Sequence, residues 1–183
     1  VMPNPKTSGN ARYTYLAALG YAQETFGDDQ EKIDQFLSDL LGRVKVFDSG
    51  GRGATTTFIE RGIGDVLLTF ESEVLNIADR YDNGEYIVVT PKVSFLAEFP
   101  VTWIDEYVEQ NGTTDLAKAY LEHLYSEDAQ RLLAGFNYRV HHEAVKAEFS
   151  DRFPDVKLLP IQEIAGSWEN AMETHFASGG KLG

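Results

Sequence analysis

The chain has 183 residues, no cysteine and a formal net charge of −13. That length can bury a core of one or two domains. The missing cysteine excludes disulfides, thiolate catalysis and cysteine-ligated metal sites, and the acidic balance speaks against a nucleic-acid partner.

Hydrophobic content of 43% with 12% aromatic residues excludes a disordered chain. No apolar run reaches the roughly 18 residues of a membrane span. The chain opens Val1-Met2-Pro3-Asn4-Pro5 without a start methionine. We read Val1-Met2 as the tail of a strand, so the lack of a leader peptide carries no information.

Asn4-Pro5-Lys6-Thr7-Ser8-Gly9-Asn10-Ala11-Arg12 is a polar, glycine-containing turn running into a helix expected from about Gly9 to Glu24. Thr7 or Ser8 can cap it. A second helix is expected through Lys32 to Leu41, capped by Asp28 or Asp29, with Ile33, Phe36, Leu37, Leu40 and Leu41 on one stripe. Val44 to Phe47 reads as a strand, Asp48-Ser49-Gly50-Gly51-Arg52-Gly53 as a glycine-rich loop, and Ala54 to Arg61 as a helix.

Asp65 to Phe70 reads as a strand buried on both faces, as in a parallel sheet. Glu71-Ser72-Glu73 starts a further helix, Asn83-Gly84 is a turn, and Tyr86 to Thr90 is another strand. Val93 to Ile104 is extended, with Pro100 marking an edge or crossing strand. Helices follow from Thr113-Thr114 to Leu124, from Ser126 to Gly135, at Glu143 to Phe149 and around Ile161 to Phe176, with Arg139 to His142 as a connector. The pattern is α/β up to about Lys92 and mainly helical after it.

Two strand–loop–helix units therefore present free N–H groups at a helix start, which favour an anion. Each loop alone is accounted for by a turn and a cap; the pair points at one bound oxyanion. In an acidic protein such a site must be local, built from N–H groups with Lys6, Arg12 and Arg52 nearby. Neither the full dinucleotide pattern nor a P-loop occurs. His123, His141, His142 and His175 are read as solvated rather than metal-binding. Glu71 and Glu73 are read as an acidic helix start, and Asn111-Gly112-Thr113 as a turn and cap.

The two loops, with Glu60-Arg61-Gly62-Ile63-Gly64-Asp65-Val66-Leu67, Leu96-Ala97-Glu98-Phe99-Pro100-Val101, Tyr138-Arg139-Val140 and Gly166-Ser167-Trp168, resemble the sulfate- and thiosulfate-binding proteins of bacterial ABC importers. Asn10, Gly50-Gly51 and Phe70-Glu71-Ser72-Glu73 are more similar to the thiosulfate branch. The resemblance implies a type II periplasmic binding protein-like α/β fold. Residues 1–92 would be the second α/β lobe, with the anion-binding loops. Residues 93–183 would be a crossing strand and the C-terminal, mainly helical portion of the first lobe, with roughly the first third of the mature protein absent.

It further implies ligand donors at Ser8 (hydroxyl) and at Gly9, Asn10 and Gly51 (main chain), with no counter-cation in direct contact; Arg52 joins the expected ligand residues from the reading of the loop itself. Phe70 stands where the sulfate site has a tryptophan indole. We expect Phe70 to pack against the terminal sulfur of thiosulfate. No catalysis, cofactor or metal is expected; the expected partner is a membrane ABC permease and the expected location the periplasm. Exposed sheet edges suggest a dimer. The rival is a phosphate-handling α/β enzyme with Asp48, Glu71 or Glu73 as acid/base or magnesium ligand. A third possibility is that the chain binds no anion by itself.

Overall fold

The computed structural model describes residues 1–81 and 84–182. In chain order its elements are β1 (Met2–Pro3), α1 (Gly9–Phe26), α2 (Gln30–Gly42), β2 (Phe47–Asp48), α3 (Gly51–Ile59) and α4 (Glu71–Arg80). Then come β3 (Val93–Phe95), α5 (Asp105–Gln110), α6 (Thr114–His123), α7 (Glu127–Gly135) and α8 (Glu143–Glu148). Last are β4 (Lys157–Leu159), α9 (Ile161–Ala165), α10 (Trp168–Ala171) and a π-helical turn, Met172–Phe176.

The chain divides into two compact units. The first comprises Val1–Phe70, Val89–Ala97 and Val156–Gly183; the second comprises Glu71–Val88 and Glu98–Asp155. They interleave along the chain and so differ from a single division near Lys92.

In the first unit α1 is the spine. Tyr15, Leu16, Leu19 and Ala22 pack with Ile33 and Leu37 of α2 and with Phe95, Leu159, Ile161, Ile164, Ala171 and Phe176. A buried side chain of this size contributes about 1.5–3 kcal/mol. Gly20 lets the C-terminal half of α1 approach its neighbours: a Cβ there would lie 3.0 Å from both Ile164 Cδ1 and Leu159 Cδ1. Gly27, at φ 59°, ends the helix, and Asp29 starts the next by accepting a bond from Lys32 N at 3.2 Å.

The strands of the first unit pair in parallel. Met2 and Pro3 face Phe47 and Asp48; Val93, Ser94 and Phe95 face Lys157, Leu158 and Leu159. Val1 N donates to Val66 O at 2.7 Å, and Leu68 N donates to Val1 O at 3.0 Å. That is the parallel ladder pattern, so β1 has an extended neighbour on each side.

In the second unit Ala134, Val140 and Val145 form a small core with Phe149 and Phe153. A polar network adjoins it. Arg139 holds Glu71 with both guanidinium arms, at 2.6 and 2.8 Å. Asn137 is buried at φ 68° and donates to Asn76 Oδ1 at 3.0 Å and Asp79 Oδ2 at 3.3 Å. Arg152 bonds Asn137 and pairs with Asp79. The short side chain of asparagine tolerates the left-handed conformation.

The expected helices all occur, and the expected strands are shorter or missing. The strand expected at Val44–Phe47 is Phe47–Asp48. The run 65–70 is extended but bonds only through its middle, and Val66 is 60% exposed rather than buried on both faces. Tyr86–Thr90 forms no strand: Ile87 and Val89 are 88% and 81% exposed. Apolar β-branched composition marks a fitted surface only when a partner lies alongside. α5 and β4 occur where no helix or strand is expected from the sequence. Asn83, placed in a turn, lies outside the described residues.

Candidate functional site

Three C-terminal strand ends in the first unit converge. β1 leads into the Asn4–Ser8 turn and α1. β2 leads into Ser49-Gly50 and α3. The run beside Val1 ends at Thr69-Phe70. In an α/β sheet, the crevice beyond the carboxyl ends of parallel strands is where ligands bind.

The first turn is built from its own polar groups. Asn4 Oδ1 accepts from Lys6 N at 2.9 Å, and Asn4 O accepts from Thr7 N and Ser8 N at 3.0 and 2.9 Å. It is tied to the second loop twice: Asn4 N donates to Asp48 O at 2.7 Å, and Thr7 Oγ1 donates to Ser49 O at 3.2 Å. Arg12 Nε donates to Pro5 O at 3.1 Å, and its guanidinium lies over the Phe176 ring.

The structure brings four of the six expected ligand residues to this meeting of helix starts. Ser8 is the N-cap of α1 and is buried, yet its side chain makes no cap hydrogen bond. Gly9 and Asn10 open the helix, and Gly51 opens α3 after the extended N-cap Gly50. A Cβ on Gly51 would stand 2.9 Å from Asn10 Nδ2, so the two helix starts touch. Phe70 lies alongside, its ring 5.7 Å edge-on from Tyr13. Tyr13 in turn packs on Phe95 and Trp168. Arg52 is exposed on the first turn of α3.

Neither α1 nor α3 carries an acid in its first turn, whereas every other α-helix of the described residues carries at least one. In an acidic chain these two dipoles are the ones left uncompensated. By contrast, an open groove of about 410 Å³ near the other end of α1 is lined by Glu24, Asp28 and Glu163, which disfavour an anion.

Thr69 was missed. Its Oγ1 accepts from Asn10 Nδ2 at 3.0 Å, while Thr14 Oγ1 donates to Asn10 O at 3.0 Å. The available signal was a lone hydroxyl ending the apolar run Val66-Leu67-Leu68.

Other candidates take structural roles. Glu71 is held by Arg139, and Asn111 Nδ2 donates back to Tyr107 O at the end of α5. His175 is not solvated: it is buried, with Nδ1 3.0 Å from Tyr15 Oη. Burial and the nearby Lys181 hold His175 below its ordinary pKa, with Asp34 opposing. Burial, then Asp34, pushes the Tyr15 phenol up to about 12. Among the described residues no helix is long and apolar enough to cross a membrane, and no group of three or more His, Cys, Asp or Glu could hold a metal ion.

A family model described as bacterial extracellular solute-binding protein matches residues 1–139. The chain is 53% identical over 182 residues to the thiosulfate-binding protein of Escherichia coli K12, covering 100% of this chain and 54% of that one. It is 45% identical over 180 residues to the sulfate-binding protein of the same organism, covering 98% and 55%. A solved structure, the sulfate-binding protein SubI from Mycobacterium tuberculosis H37Rv, matches with a TM-score of 0.71 at 29% identity, over 96% of this chain and 58% of that one. The chain thus spans about half the length of the curated relatives it matches. It has the periplasmic binding protein fold, and it belongs to the bacterial extracellular solute-binding proteins, a family of binding proteins rather than enzymes.

Proposed function

We infer that this chain carries the anion-binding loops of an extracytoplasmic protein that captures thiosulfate or sulfate and hands it to an ABC permease in the bacterial periplasm. The Ser8 hydroxyl and the main-chain N–H groups of Gly9, Asn10 and Gly51 donate to the oxygens. Phe70 packs against the remaining face, and Arg52 stands at the rim. The observation that carries the reading is the meeting of two helix starts without first-turn acids, one of them capped by a serine whose hydroxyl is not used for capping. The relatives' names supply the ligand class.

The selectivity follows from chemistry. Main-chain N–H groups donate and cannot accept, so they suit an anion that is fully ionised at neutral pH, to which the Ser8 hydroxyl can turn its one proton. Phe70 offers no donor, and the soft terminal sulfur of thiosulfate needs none.

Isothermal titration of the chain with thiosulfate and with sulfate tests this in a buffer free of competing oxyanions. Saturable heat, with affinity weakened in Ser8→Ala, is expected, with thiosulfate the tighter ligand. No heat from either anion would reject the reading that these donors suffice.

A further inference from the structure

Thr69 ends the extended run beside Val1, one residue before Phe70. Its Oγ1 accepts the Asn10 side-chain amide at 3.0 Å. A Cβ built on Gly51 would lie 3.8 Å from the same oxygen. The hydroxyl therefore sits where the first turns of α1 and α3 meet, against the Asn10 side chain and near Gly51. Among the described residues it accepts this one bond and donates none.

A hydroxyl has one proton to give. With one lone pair engaged by an amide donor, the group is polarised toward donation, because hydrogen bonds in a chain strengthen one another. Its one partner among the described residues, the Asn10 side-chain NH2, is a donor and cannot receive its proton. An oxyanion held at the two helix starts can.

We propose that Thr69 is a specificity-determining residue: its O–H donates to the bound oxyanion, supplying a donor beside Phe70, which has none, while its oxygen holds the Asn10 amide against Gly51. The assignment rests on the thiosulfate or sulfate reading above. It extends the site from two helix starts to a third strand end.

The test is calorimetric titration with sodium thiosulfate and sodium sulfate of the parent chain and of Thr69→Val, Thr69→Ser, Asn10→Ala and the Asn10→Ala/Thr69→Val double variant. Thermal melts follow each protein. Valine keeps the shape and removes the hydroxyl, and Kd should rise about tenfold or more, the scale of one lost hydrogen bond to a charged group. Thr69→Ser should recover most of that loss. If Thr69 touches the anion, Thr69→Val should cost affinity in the Asn10→Ala background as well. No further loss there would reduce Thr69 to a brace for Asn10 and overturn the proposal while the function stands. A parent chain that binds neither anion would overturn both.

Discussion

Ser8 illustrates how a residue type is ambiguous until its partners are known. Serine before a helix ordinarily caps it. Here the side chain caps nothing although the residue is buried, which leaves the hydroxyl for a ligand. Ser8→Ala should cost about 1.5–3 kcal/mol of anion affinity, the worth of one hydrogen bond to a charged partner. A melting temperature close to that of the parent would separate a lost ligand contact from a lost cap.

Phe70→Trp should move preference toward sulfate, read as the ratio of the two dissociation constants; an unchanged ratio would remove the assigned role of Phe70. The buried Tyr15–His175 pair gives a pH signature instead. His175 has its pKa depressed in the fold, so the unfolded chain binds more protons as pH falls through the ordinary histidine value of about 6.5, and stability should drop there. Tyr15 is raised to about 12, so its contribution is present below its ordinary value and is lost as pH climbs from about 10 through about 12. Denaturant melts across pH 5 to 7 should show a slope that flattens in His175→Gln.

At the scale of elements, α1 and α3 were legible because helix signals are local. A cap, a periodic apolar face and a terminal glycine all lie within one stretch of chain. Strands were less legible: β4 is three residues long and is defined by its pairing with β3. A strand is completed by a neighbour remote in sequence, which composition does not reveal.

The contact of α1 with α3 makes a test of the loop pairing. Gly51→Ala places a methyl group 2.9 Å from Asn10 Nδ2, an amide already engaged by Thr69. Binding should weaken, and Asn10→Gly in the same chain should restore part of it, giving a favourable coupling in a double-mutant cycle. Additive losses would mean that the helix starts do not meet as described. In the core of the same unit, Leu16→Ala should destabilise by about 2–5 kcal/mol, because Leu16 is fully buried on the central helix.

For the molecule as a whole, the charge of −13 opposes an approaching anion. On the proposed reading the donors act at short range through dipoles, so added sodium chloride should leave thiosulfate affinity unchanged or slightly tighter as the repulsion is screened. Marked weakening with salt would indicate a cation-lined site instead. The family and the two loops could be recognised from the sequence, since turn glycines, caps and apolar spacing are local and the motifs are specific. The sequence also excluded thiolate and disulfide chemistry outright, by lacking cysteine. The tertiary structure alone decided which residues meet: Gly51 against Asn10, Thr69 beneath the Asn10 amide, Tyr15 on His175. Those contacts join stretches far apart in the chain, and only packing specifies which remote groups share a low-dielectric space and must satisfy one another's hydrogen bonds.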